Sequence, residues 1–251
     1  MLEQRENLDT FRPAVGAYHL QVLGQRIARI KGGLSPFINP FLDLAHGEFA
    51  PWIYDLDRAT GCKGQWREKI FKCDKTDFID LEIGIGNGYF FEHRLVEASQ
   101  RRLVGFELKY KQIIQTAKRA CSVSEDRFRL VRYDAKFLDD IFSDGELNDV
   151  YIFFPDPWEK QKKHKHRLID LNFLNKLFDL QRSDSYLTFK TDSQSYYHWV
   201  CERLPLSQYK IVGQSEDLHA SALAQDNFQT HFEKLWTRKG RKTYYLKLFR
   251  S

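Results

Sequence analysis

The segment FFPDPWEKQKKHKHR, Phe153 to Arg167, places one carboxylate, Asp156, between Pro155 and Pro157, and then runs into Lys160, Lys162, Lys163, His164, Lys165, His166 and Arg167. Proline fixes its own φ near about −65° and restricts the residue before it, so the Asp156 backbone is confined from both sides. A carboxylate held this way can stabilise a developing positive charge or accept hydrogen bonds from a donor edge. Five Lys or Arg and two His within eight residues suit a polyanionic partner. The same residues also have purely structural readings. Asp156 at N-cap, Pro157 at N1 and Glu159 at N3 make a good helix start, and cap and chemical site can coexist. Trp158 offers either a stacking face or a core side chain. His164 and His166 are not metal-ligand candidates, because no acidic or cysteine partner has suitable spacing, and no metal is expected.

A second cluster lies upstream. In DLEIGIGNG, Gly84, Gly86 and Gly88 fall where a strand over 78–84 turns into a helix. Glycine there lets the backbone approach a ligand and lets the helix pack on the strand. The spacing is GxGxG rather than the GxGxxG of dinucleotide-binding turns, and alone it is weak evidence. The acids around it add weight. Glu82 lies inside this strand, Glu107 ends the second, Asp134 the third and Asp156 the fourth. Ligands of open α/β sheets bind beyond the carboxyl ends of the strands. Four acids there suit a ligand with hydroxyls, an amine and a positive centre rather than a pyrophosphate. S-adenosylmethionine has all three.

The elements that must position these residues follow from patterning. Short apolar runs at 78–84, 102–108, 128–134, 149–156 and 185–192 read as strands buried on both faces, with amphipathic helices over 109–121 and 168–181 between them. This alternation predicts a mostly parallel sheet with helices on both faces. Runs at 209–215 and 242–250 lack a helix-length apolar pattern between them, so the last of seven strands is expected to be antiparallel. Residues 1–75 carry Gly32, Gly33, Pro36, Pro40 and Pro51 and read as an irregular extension with one helix near 17–31; the main domain is expected over 76–251. At 251 residues the chain can bury about three quarters of its unfolded surface. No apolar run approaches the roughly 18 residues of a membrane span, and the N-terminus lacks a signal-peptide pattern. Four cysteines without CxxC spacing point to reduced thiols in the cytoplasm. A net charge of +5 permits a polyanionic partner without requiring one. Monomer and homodimer are both compatible with the sequence.

LEIGIGNG, GFEL, YDA, FFPDPW-x-K, the basic run and TD, in this order and spacing, resemble the bacterial tRNA (guanine-N7)-methyltransferase family over roughly residues 78 to 250. The PDPW-x-K block with its basic tail is the specific part. The resemblance implies a class I methyltransferase Rossmann-like fold, S-adenosylmethionine as cofactor, and transfer of a methyl group to N7 of a variable-loop guanine in tRNA. It implies that Glu82, Glu107, Asp134 and Asp156 contact the cofactor and that Asp156 is the active-site residue. Lys160, Asp192 and Thr230, His231, Phe232 and Glu233 would correspond to substrate contacts, although the family usually has a basic residue where this chain has His231. Guanine N7 carries a lone pair and no proton, so the chemistry needs alignment and charge stabilisation rather than a general base. Near-attack positioning contributes on the order of 7–11 kcal/mol in favourable cases. The basic run would meet RNA phosphates around a base drawn out of its stack. Two other readings share these residues: a non-catalytic RNA-binding module on the same fold, and a methyltransferase of another substrate class.

Overall fold

The structure, a computed structural model, describes residues 40–74 and 76–251. The helix expected near 17–31 lies outside the described residues. The centre is a sheet of eight strands: β1 Ile53–Tyr54, β2 Phe78–Ile83, β3 Arg101–Phe106, β4 Phe128–Val131, β5 Val150–Phe153, β6 Ser185–Thr191, β7 Lys210–Ser215 and β8 Tyr244–Arg250. Their order is β1-β4-β3-β2-β5-β6-β8-β7. All neighbours are parallel except β8, which runs antiparallel to both β6 and β7.

Buried side chains alternate between two cores, with Val104 and Phe106 of β3 in one and Leu103 in the other. That division is why these strands read as unbroken apolar runs. Helix Tyr110–Cys121 buries Ile113, Ile114, Ala117 and Ala120, and helix Leu171–Leu180 buries Phe173, Leu174, Leu177 and Phe178. The latter starts at Asp170, whose carboxylate accepts from the Phe173 N–H at 2.8 Å.

The sheet has one strand more than the seven expected. The extra strand, β1, is two residues long, and so it carries no alternation to read. It is fixed by the Leu130 and Arg132 N–H groups, which donate to the carbonyls of Trp52 and Tyr54 at 2.8 Å each. Trp52 also stacks on Phe128 at 6.2 Å. Residues 40–74 therefore contribute to the sheet edge, and Trp66, fully buried, donates its indole N–H to the Ile141 carbonyl at 2.9 Å.

The direction of strand succession reverses between β2 and β5, which pair through Leu81 with Val150, Glu82 with Tyr151 and Ile83 with Ile152. In doubly wound sheets this switch point opens a crevice at the carboxyl ends of the strands. Both sequence clusters leave the sheet there.

Candidate active site

The glycine turn starts where β2 ends. Gly84 has φ 79° and Gly86 φ 54°, and a Cβ built on either would meet no atom within 4 Å. Gly88 is the opposite case: at φ 78°, a Cβ would come within 2.9 Å or less of three Thr116 atoms, so glycine is what lets helix Tyr89–Glu97 close onto helix Tyr110–Cys121. Glu82 is 3% exposed, and its Oε2 has no hydrogen-bond partner among the described residues. Burial pushes its carboxyl well above the usual range; Lys190 opposes this and Glu107 adds to it. An orphaned carboxylate oxygen inside a fold calls for a partner from outside the chain. Glu107, half-buried, accepts at Oε1 from the Leu108 and Lys109 N–H groups at 2.8 and 3.1 Å, which fixes the carboxylate plane. Asp134 caps the short helix Ala135–Asp140 through the Lys136 N–H at 3.1 Å.

At the end of β5 the chain turns sharply. Phe154 has φ 52° and Trp158 φ 47°, two bulky residues in the left-handed region on either side of Pro155-Asp156-Pro157. No helix starts at Pro157. The next helical turn is Gln161–His166, with Lys160 at its N-cap, so the helix-cap role expected for Asp156 does not occur. Glu159, expected at N3, instead takes the hydroxyls of Ser193 and Ser195 at 2.6 and 2.7 Å. Those bonds, that of Ser193 foremost, hold its carboxyl below the usual range. Asp156 is exposed and makes no hydrogen bond or ion pair among the described residues. Trp158 lies outside both core clusters, with its ring 5.2 Å from that of His166.

Arg167, expected at RNA phosphates, is 1% exposed. Its Nε donates to the Pro157 carbonyl at 2.8 Å, and its Nη1 and Nη2 donate to the Ser195 carbonyl and hydroxyl at 3.2 and 2.8 Å. It is a staple that ties the Asp156 loop to the segment after β6. The rest of the run lies mostly at the surface. Lys160, Lys162, Lys163 and Lys165 are exposed and form no ion pair among the described residues; His166 is exposed too. His164 is half-buried, its ring 5.3 Å from Trp199.

The remaining expected contacts divide. His231 and Phe232 are exposed, and Phe232 packs against Phe154 at 4.8 Å. Asp192 pairs with Arg241 at 3.1 Å. Thr230 and Glu233 form a capping box on helix His231–Thr237, with N–H···O distances of 3.1 and 3.2 Å. Glu233, expected to touch substrate, is 0% exposed. Its Oε2 is 2.9 Å from Lys190 Nζ, and its Oε1 is 2.8 Å from Asn227 Nδ2 and 3.1 Å from His219 Nε2. Lys190, itself buried, was missed by the sequence reading. The signal was a lysine within the strand SYLTFKT, where burial on both faces leaves a charge in need of a partner.

Comparison with known proteins decides the family. A family model described as a putative methyltransferase matches residues 76–246. A protein of Bdellovibrio bacteriovorus named tRNA (guanine-N(7)-)-methyltransferase is 41% identical over 203 residues, which span 81% of this chain and 97% of that one. The chain belongs to the tRNA (guanine-N7)-methyltransferase family. A second member, from Malacoplasma penetrans, is 29% identical and is matched over 82% of its length. Among solved structures, a geranyl diphosphate C-methyltransferase from Streptomyces coelicolor aligns with a TM-score of 0.50 at 14% identity, over 70% of each chain. At that identity the likeness concerns the fold alone. Within this tRNA (guanine-N7)-methyltransferase family member, the Asp156 loop and the basic turn 160–166 sit together beyond β5, and Glu82 faces the switch point from β2.

Proposed function

We propose that this chain transfers the methyl group of S-adenosylmethionine to N7 of a variable-loop guanine in tRNA, acting in the cytoplasm. The observation that carries the reading is Asp156: an exposed carboxylate fixed between two left-handed aromatic residues beyond β5, and followed at once by four exposed lysines, all five without an ion-pair partner among the described residues.

The residues present fit the donor. Glu82 Oε2 is an orphaned acceptor suited to an ammonium or hydroxyl, and the open space over Gly84 and Gly86 leaves room for a ligand against the backbone. Glu107, oriented by its two backbone N–H bonds, suits the ribose hydroxyls, and Asp134 suits the adenine side of the same ligand. Bound S-adenosylmethionine supplies an electrophilic methyl group on a sulfonium. The remaining work falls to the chain. N7 has no proton to lose at neutral pH, so no side chain acts as general base. Asp156 accepts from the N1 and N2 hydrogens of guanine and offsets the positive charge that the purine acquires. The loop around it is held in advance by Arg167 at Pro157 and by Glu159 at Ser193 and Ser195, so little reorganisation accompanies binding. Lys160, Lys162, Lys163 and Lys165 meet the phosphates on either side of the base. Arg167 and Glu233 act within the fold.

Incubation with bulk tRNA and methyl-labelled S-adenosylmethionine, followed by mapping of the modified base, tests the proposal. Label at N7 of a variable-loop guanine is expected. Label on another base, or none on tRNA, would refute it.

A further inference from the structure

Beside the Asp156 loop lies a row of aromatic rings that the chemistry above does not use. Tyr89, the first residue of the helix after the glycine turn, is 39% exposed, and Phe232 is 40% exposed. Neither belongs to a core cluster, nor do His231 and Trp236. The rings contact one another all the same. Tyr89 and His231 stack with centroids 5.7 Å apart and planes 26° apart, and Phe232 lies 5.5 Å from Trp236. The row joins both halves of the site: Phe232 packs on Phe154, two residues before Asp156, and Tyr89 directly follows the glycine turn.

Each end of the row carries a guanidinium. Arg119 lies 3.9 Å from the centre of the Tyr89 ring and is held there by the Asn87 carbonyl at 3.1 Å and Glu92 at 3.3 Å. Arg241 lies 4.1 Å from the centre of the Trp236 ring and pairs with Asp192. The turn TRKGRK, Thr237 to Lys242, contains four bases and no acid. Exposed aromatic rings in contact mark a binding surface. Rings backed by planar cations and bordered by positive charge match the requirements of unstacked nucleobases on a phosphate chain. A protein partner would have to bury that positive charge against acids of its own, whereas RNA brings its own phosphates.

We propose that Tyr89, backed by Arg119 and continued by His231, is a stacking platform for a tRNA nucleobase neighbouring the methylated guanine. Methylation requires the target base to leave its stack, which deprives its neighbour of a stacking partner; Tyr89 replaces that partner. The inference rests on the tRNA reading above.

The test compares Tyr89→Ala and Tyr89→Trp with the wild-type chain for tRNA binding at several salt concentrations, with S-adenosylmethionine affinity as the check on folding. Tyr89→Ala is expected to weaken tRNA binding by about 5- to 150-fold, the range for one base–aromatic stack. Tyr89→Trp should hold wild-type affinity. The salt slope should stay the same in both, because stacking releases no counterions. Affinity of Tyr89→Ala within twofold of wild type, or a loss that Tyr89→Trp shares, overturns the platform. So does unchanged tRNA affinity with an altered sedimentation mass, which would make the row a protein–protein face. If the wild-type chain fails to methylate tRNA, the functional reading falls and the platform falls with it; if it methylates and Tyr89→Ala binds normally, only the platform falls.

Discussion

Lys190→Met isolates the buried ion pair behind the site. All three donors of the Lys190 ammonium are engaged: Asn227 Oδ1 at 2.7 Å, the Phe228 carbonyl at 2.9 Å and Glu233 Oε2 at 2.9 Å. Lys190 is 2% exposed and Glu233 is fully buried, so water cannot replace the lost partner. Burial lowers the Lys190 pKa, and the Glu233 charge opposes that shift. Methionine fills a similar volume but leaves a carboxylate whose remaining contacts are Thr230, Asn227 and His219. Removing one partner of such a pair costs about 3–5 kcal/mol. At about 2–4 °C per kcal/mol for a chain of this size, the melting temperature should fall by roughly 6–20 °C. Urea titration followed by circular dichroism measures the free energy, and Lys190→Met/Glu233→Gln completes the comparison. The double variant leaves neither charge of this pair, and it should recover more than half of the loss. Loss of the Asn227 and Phe228 anchors should also raise the KM for tRNA, because the segment leading into Phe232 is released. A single-variant loss under about 1 kcal/mol, or a double variant no more stable than the single, would refute the reasoning, since neither result is compatible with a costly unpaired charge.

The other consequences concern the two acids of the site. Glu82 keeps its proton in the fold at pH values where the unfolded chain, at the ordinary value of 4.5, has released it. Its contribution to stability is therefore full below that value and is lost as pH rises through the raised folded pKa; Glu82→Gln should remove up to about 1.4 kcal/mol per pH unit of that decline in the ligand-free protein, and urea-derived stability curves that stay parallel would contradict the assignment. Asp156→Asn, at an exposed residue without partners among the described residues, should leave stability within about 0.5 kcal/mol of wild type while slowing single-turnover methyl transfer about 100-fold with both ligands saturating. A rate within about threefold of wild type would remove Asp156 from the chemistry.

What the sequence disclosed and what it hid differ by the range of the interactions involved. Strands β2 to β6 were legible because burial on both faces writes a continuous apolar run, and the glycine turn because backbone conformation is a local matter. β1 was not, since its two residues hold their place only by pairing with β4 across the sheet. The helix start at Pro157 satisfied every local rule and still failed. Ser193 and Ser195, more than 30 residues away, take the Glu159 carboxylate that would have closed the cap. Arg167 is the same case: charge alone suggests contact with RNA, whereas its partner Ser195 lies on another element. For Glu233 the expectation of a substrate contact came from the family resemblance, and its partner Lys190 lies on β6. The lysines of the basic run are exposed and form no ion pair among the described residues.

The most expensive feature of the site is the loop that local rules misjudged. Left-handed backbone at a non-glycine residue costs about 1–3 kcal/mol, and here two bulky residues adopt it within five positions, Phe154 and Trp158. Such conformations persist where surrounding contacts over-determine them. The contacts are present: the Phe154 N–H donates to the Lys190 carbonyl at 2.8 Å, Arg167 holds Pro157, and Glu159 holds two hydroxyls beyond β6. A relaxed helix from Pro157 would turn Asp156 inward to cap its own backbone. The strained loop instead leaves the carboxylate without a partner among the described residues, available to a ligand and fixed in position. That arrangement suits a reaction with no proton to abstract, in which a preset charge and a preset geometry are what the protein can contribute.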